Sequence, residues 1–217
     1  MFTPKNLGTD RSDPTEMVVM WSTCLRERTM VEYALMDDKD VMRKRCKKSV
    51  TYNGWDKYMH TVKLAHLQTG SKYKYRVGNA LSGRWSAWWW FETRPAANFD
   101  DAVVAIVGDF DKTEAAKKHL EKLVETIHEW DLLIIAGDLC YAKGQSSVWD
   151  MWGEIFEPLA AIRPLMVLPG NHENETKHGK GWDAYNLRYR MPSSNNKNGW
   201  KNQYYSFRFG NVHFTMV

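Results

Sequence analysis

Three apolar runs, each closed by a glycine and an oxygen-bearing side chain, constrain this chain more than any other feature. Ala102 to Val107 leads into Gly108-Asp109. Leu132 to Ala136 leads into Gly137-Asp138. Pro164 to Pro169 leads into Gly170-Asn171, with His172-Glu173 directly after. Short runs of Val, Ile and Leu without polar alternation read as buried strands of a parallel sheet. Ligands of open α/β sheets collect beyond the carboxyl ends of such strands. Three oxygen donors placed there in phase point to a site for a hard metal ion.

The segments between these runs carry helical spacing. Thr113 to Trp130 places Ala116, Leu120, Leu123, Val124 and Ile127 on one face, and Trp149 to Ile162 does the same with Trp152, Ile155, Phe156 and Leu159. Strand–helix–strand alternation predicts βαβ units with right-handed crossovers, which would gather Asp109, Asp138 and Asn171 at one rim. Asp111-Lys112-Thr113-Glu114 has the spacing of a capping box, with Asp in the Ser/Thr position. Asp111 is therefore read as a helix cap, with metal ligation as the alternative. Beyond residue 175 the chain is polar and loop-like through Gly179-Lys180-Gly181 and Pro192 to Asn196. Strand pattern then returns in Gln203 to Phe209 and Val212 to Val217 around a turn at Gly210-Asn211.

Residues 1–95 follow a different grammar. Met17–Trp21, Met30–Leu35, His60–Leu64, Tyr73–Val77 and Trp88–Thr93 are short β-prone segments. Turn signals at Asp13-Pro14, Asn53-Gly54, Thr69-Gly70-Ser71 and Ser82-Gly83 separate them. This spacing predicts a small β-sandwich, with Arg94-Pro95-Ala96-Ala97-Asn98 as the linker to the α/β region. Eleven tryptophans imply large aromatic cores. Trp88, Trp89 and Trp90 are read as packing residues, with a carbohydrate or partner surface as the alternative.

With 217 residues, 43% of them hydrophobic and 26% charged, the chain has the composition of a globular protein of one large or two modest domains. No apolar stretch is long enough to span a bilayer, and Met1-Phe2-Thr3-Pro4-Lys5 carries no apolar signal core. The net charge of +4 owes much to Arg43-Lys44-Arg45-Cys46-Lys47-Lys48. Without aromatic interleaving or a DNA-binding motif, that run reads as a solvated loop or edge strand, not a nucleic-acid patch. Cys24, Cys46 and Cys140 make no disulfide framework, although Cys24 and Cys46 share one domain.

Gly137-Asp138-Leu139-Cys140-Tyr141 and Gly170-Asn171-His172-Glu173 resemble the Gly-Asp-x-x-Tyr and Gly-Asn-His-Glu motifs of the purple acid phosphatases, within the metallophosphoesterases. Tyr73 to Gly78, Trp149 to Pro169 and Tyr189-Arg190-Met191-Pro192 also look like that family. The resemblance implies a fibronectin III-like, all-β sandwich over 1–95. It further implies the N-terminal half of an α/β metallophosphoesterase domain over 96–217, with mixed sheet layers flanked by helices. The implied cofactor is iron(III) paired with divalent iron, zinc or manganese. Carried over by motif, Asp109 and Tyr141 bind the iron(III), Asp138 bridges, Asn171 binds the divalent ion through its amide oxygen, and His172 faces the substrate phosphate. Glu173 would support them. A tyrosine, with its ordinary pKa near ~10, needs a strongly Lewis-acidic partner to ionise at acid pH, and iron(III) is one.

The implied reaction is in-line attack by metal-bound hydroxide on a phosphate monoester. The implied setting is secreted or lysosomal, with a homodimer allowed and neither nucleic acid nor membrane as partner. Asn174-Glu175-Thr176 is a glycosylation sequon, of consequence only in a secreted protein. Two departures qualify the match. Asp111 stands where the family usually has glycine. The family's three remaining histidine ligands fall downstream of Val217, so the chain is expected to be a C-terminally truncated form that is inactive or impaired. The competing readings are a non-catalytic binding product and a different metallophosphoesterase, such as a phosphodiesterase or protein phosphatase.

Overall fold

A computed structural model describes residues 13–95, 101–111, 113–192 and 202–217. Ala96 to Asn98 of the expected linker, Ser193 to Asn196 of the expected loop, Lys112 of the capping box and the Met1 to Lys5 segment lie outside the described residues.

Strand β1 (Met17–Thr23) explains how the first region is used. Met17 to Trp21 are all buried, so the strand has no solvent face. Successive side chains in a strand point to opposite faces. Met17, Val19 and Trp21 enter one apolar core, while Val18 and Met20 enter another. The first core is the interior of a β-sandwich. One sheet has the order β1-β5-β4, with β4 Ser49–Val50 and β5 Tyr58–Leu64. The other runs β3-β2-β6-β7, with β8 also on β6. Its strands are β2 Met30–Leu35, β3 Met42–Arg45, β6 Lys72–Asn79, β7 Arg84–Trp85 and β8 Trp89–Glu92. Val31, Tyr33, Val62, Leu64, Tyr73, Tyr75, Val77 and Phe91 fill the space between the sheets.

The all-β reading of this region holds, and all five expected strands are present. The first three residues of the basic run, Arg43-Lys44-Arg45, lie in the edge strand β3, whose four residues are all exposed, and Cys46 to Lys48 come after it. Charge on an edge discourages pairing with another chain. Arg43 Nε donates to Glu32 Oε1 at 2.7 Å, and Arg76 on the other side donates to Glu32 Oε2. Cys24 and Cys46 both remain free thiols. Trp90 lies flat against His128, with Lys72 4.2 Å from its ring centroid, so it packs between the two regions. Trp88 keeps 44% of its surface exposed beside Arg76.

The second region is α/β. Strands β9 (Val104–Val107), β10 (Leu132–Ala136) and β11 (Leu165–Leu168) form a parallel sheet of order β11-β10-β9. Helix α1 (Glu114–Glu125) and helix α2 (Ser146–Ala160) connect them as expected. Two details differ from the sequence reading. The cap of α1 is Thr113, whose hydroxyl accepts from the Ala116 amide at 3.3 Å. Asp111 sits two residues upstream and accepts from the Thr113 amide at 2.8 Å. Val124 is 41% exposed, whereas Ala116 in the helix and Ile127 just after it are buried. Helix α3 (Asp183–Arg188) comes after the polar loop, and β12 (Tyr205–Phe209) pairs with β13 (Val212–Met216).

The second core joins both regions. Val18, Met20, Tyr52, Trp55 and Met59 from the sandwich pack with Trp149, Trp152, Phe156 and the β10 and β11 strands. A polar tie crosses the same boundary. The Arg188 guanidinium, fully buried, donates to Tyr52 Oη at 2.7 Å and to Asp150 at 2.6 Å, and stacks on Trp55 at 4.1 Å. Trp55 Nε1 donates to the same Asp150 carboxylate at 3.0 Å. The tie orients α2 and α3, the elements that come after the loops of the rim.

Candidate functional site

All three parallel strands run out at one rim, and their loops are stitched by backbone. The Asp109 amide donates to the Gly137 carbonyl at 3.2 Å, and the Phe110 amide to the Asp138 carbonyl at 3.0 Å. A Cβ on Gly137 would stand 2.9 Å from the Gly170 backbone. One on Gly170 would stand 2.1 Å from Asp138 Oδ1. Glycine is required at both positions because the loops close to main-chain contact.

Asp109, Asp138 and Tyr141 all hold left-handed backbone, with φ of 51°, 51° and 52°. Such backbone costs a residue with a Cβ about 1 kcal/mol or more, and it clusters at functional sites. Here the strain turns three oxygen-bearing side chains toward one point. The Tyr141 phenol donates to Asp109 Oδ1, with Asp138 Oδ2 at 3.2 Å. The hydrogen bond to Asp109, then burial and the charge of Asp138, push the phenol well above its ordinary pKa. His172 sits beside them. Its amide donates to Asp138 Oδ1 at 3.1 Å, and its ring lies over Tyr141 with centroids 4.3 Å apart. Asn171 opens the short 3-10 turn Asn171–Glu173 and is exposed, next to the Gly170 that touches Asp138.

Glu173 is fully buried and holds the rim together. Its carboxylate accepts from the amides of Asp138 and Leu139, each at 2.8 Å, and of Gly170 at 2.7 Å. Burial raises its pKa, while those three donors pull it down. Cys140 is buried and its thiol is pushed up by desolvation, so it is an inert packing group. His213 is exposed on β13, opposite Arg208.

The chemistry of the donor set decides what it can hold. Two carboxylates and a phenol converge, and among the described residues neither Asp109 nor Asp138 forms a salt bridge. An all-oxygen group of this kind fits a hard cation, which would neutralise the carboxylates and draw the proton from the phenol. Among the described residues no three His, Cys, Asp or Glu side chains group to hold a metal. The rim donors beyond its two carboxylates are a phenol and an amide. Sequence reasoning missed the left-handed backbone at Asp109, Asp138 and Tyr141. It also missed Glu175 and Arg188, whose buried polar side chains had no local periodicity to mark them.

Comparison with known proteins agrees with this architecture. The purple acid phosphatase N-terminal domain family matches residues 6–93, and the calcineurin-like phosphoesterase family matches residues 102–216. Purple acid phosphatase 21 of Arabidopsis thaliana is 30% identical over 223 aligned residues, covering 100% of this chain and 48% of that protein. A second relative from the same plant, named probable inactive purple acid phosphatase 1, is 31% identical over 70% of this chain and 29% of its own length. The structure of a purple acid phosphatase from yellow lupin (Lupinus luteus) seeds superposes with a TM-score of 0.84. It is 22% identical, over 98% of this chain and 43% of the lupin chain, and shares the fold. The chain thus spans half or less of the length of these proteins. With its sandwich and its α/β region each matched by the corresponding family, and in that order, the chain belongs to the purple acid phosphatases, a branch of the calcineurin-like phosphoesterases.

Proposed function

We propose that this chain forms the metal-binding rim of an acid phosphatase that hydrolyses phosphate monoesters, using iron(III) beside divalent iron, zinc or manganese. In this reading Asp109 and Tyr141 would hold the iron(III), Asn171 would hold the divalent ion through its amide oxygen, and Asp138 would serve both. Bound metal would supply Lewis acidity toward a phosphoryl oxygen and toward water. The convergence of Asp109, Asp138 and Tyr141, all in strained left-handed backbone, is the observation that carries the reading.

The protein's own groups do the rest. Glu173 keeps the Asp138 and Gly170 loops in register through three amides, so the carboxylate of Asp138 need not reorganise. His172, ring over Tyr141, holds the phosphate or passes a proton to the departing alkoxide. The sandwich, 1–95 in the proposed division, supports the catalytic region, 96–217, through Tyr52 and Trp55.

The exposed Asn174 of the sequon suits a secreted or lysosomal protein. Among the described residues no helix is long and apolar enough to cross a membrane.

Iron(III) loading tests the metal reading. Visible absorption is expected on loading, and its loss in Tyr141→Phe. Absorption that persists in Tyr141→Phe would remove the phenolate assignment. Hydrolysis of p-nitrophenyl phosphate at acid pH tests the activity, with Asp138→Ala expected to abolish it. The second reading is a binding product without turnover. The resemblance to a relative named probable inactive purple acid phosphatase 1 favours it. A folded chain that takes up iron and releases no nitrophenol would support it.

A further inference from the structure

Tyr141 lies in a loop whose two ends are held by different buried acids. At its start, Glu173 takes the amides of Asp138 and Leu139. At its end, Glu175 Oε1 accepts from the Gly144 amide at 2.8 Å and from Trp149 Nε1 at 3.3 Å. Glu175 is 2% exposed, and its Oε2 is buried with no hydrogen-bond partner. A carboxylate buried with one oxygen unpaired is costly, so the bonds made by the other oxygen must offset that cost.

We infer that Glu175 is a positioning residue for Tyr141: by holding the Gly144 amide it keeps residues 141–144 in the turn that aims the phenol at Asp109 and Asp138. This rests on the metal-site reading above only for what the phenol is aimed at. Three observations carry it. First, Tyr141 and Lys143 hold left-handed backbone, with φ of 52° and 51°, so the turn is strained and needs an external restraint. Second, the backbone of Glu175 is itself fixed. Its amide donates to the Gly181 carbonyl at 2.8 Å, and its carbonyl accepts from the His178 and Lys180 amides. The side chain therefore projects from an anchored base. Third, Gly144 is pressed from the other side. A Cβ there would stand 2.5 Å from His178 Cβ, so the turn is gripped between Glu175 and His178.

The restraint differs from that of Glu173, which acts on Asp138 and Gly170. Two acids, Glu173 and Glu175, thus hold the two ends of one loop, with Tyr141 between them.

Amide hydrogen exchange on the 217-residue chain reads the restraint without any metal. In Glu175→Ala, exchange at Gly144 is expected to speed up about tenfold or more, as for loss of a buried bond to a charged acceptor. Glu175→Gln retains an acceptor oxygen and should restore protection. Trp149→Phe removes only the other partner and should leave Gly144 protected. If Glu175→Ala does not fold, Glu175→Asp, one methylene too short to reach Gly144, serves in its place.

Visible absorption after iron(III) loading reads the consequence. The band is expected to shift or weaken in Glu175→Ala and to return in Glu175→Gln. Unchanged exchange at Gly144 in the Ala or Asp variant, or a band identical to wild type in Glu175→Ala, would overturn the proposal. If no variant and no wild-type sample gives a band, the metal reading fails, and exchange alone then decides for or against the role of Glu175 as the restraint on this turn.

Discussion

The sandwich and the α/β rim solve opposite problems with the same backbone. In the sandwich nearly every described strand residue sits in a ladder, and β1 feeds apolar side chains into both cores. Among its described residues only His66 is a non-glycine in left-handed backbone, and its stability comes from burial. At the rim, three side chains sit in left-handed backbone, two carboxylates face one phenol, and two buried acids hold the loops. Conformational cost is concentrated where chemistry is done, and the well-packed region stabilises the whole enough to bear it.

The polar tie between the regions gives the sharpest way to break that relation. Arg188→Ala leaves the Asp150 carboxylate and Tyr52 hydroxyl without their buried cation. Stranding a buried acid costs about 3–5 kcal/mol, and because Asp150 keeps Lys57 at 3.1 Å the loss is expected at the lower end of that range. A single lowered melting transition would show that the two regions unfold as one. Two separated transitions would show that the sandwich survives alone.

Acid should weaken the sandwich next. Thr23 Oγ1 donates to the Leu25 carbonyl, so it accepts from His60 Nε2 at 2.7 Å, and the Thr29 hydroxyl then donates to Nδ1 at 3.0 Å. The neutral ring is satisfied at both nitrogens and stacked on Trp21. Burial lowers its pKa from 6.5 to about 4, with nearby Glu27 pulling the other way. The folded value lies below the unfolded one, so the unfolded chain takes the proton first. Stability is therefore full above pH 6.5 and declines as pH falls toward about 4. Urea midpoints measured across that window should fall, and His60→Gln should flatten the slope.

Gly170→Ala tests the rim. Its Cβ would meet Asp138 at 2.1 Å and force the loops apart. A loss of about 1–3 kcal/mol is expected, together with weaker iron retention in dialysis. The smallest effect has the opposite sign. Lys143 is exposed with φ of 51°, and Lys143→Gly should raise stability by about 1 kcal/mol in thermal melts by relieving left-handed backbone. If it does not, the rim stores less strain than its backbone angles imply.

The parallel sheet was legible because β9, β10 and β11 are nearly continuous apolar runs, and the rim residues because Gly-Asp and Gly-Asn-His-Glu come directly after those runs. Edge strand β3 was half legible. Its charge fits both a loop and an edge, and only its pairing with β2 decides. Thr113 displaced Asp111 as the helix cap because both can accept amide bonds, and which one does depends on where the backbone turns.

The β-rich and α/β halves, the strand ends and the oxygen donors at them are written in the order of the residues. These depend on local periodicity and side-chain type, which neighbouring residues express directly. Folding alone brings Arg188 to Tyr52 across 136 positions, Glu173 to Asp138 across 35, and Glu175 to Gly144 across 31. Those bonds exist because burial of the shared core brings distant segments together and leaves their polar groups to find partners there.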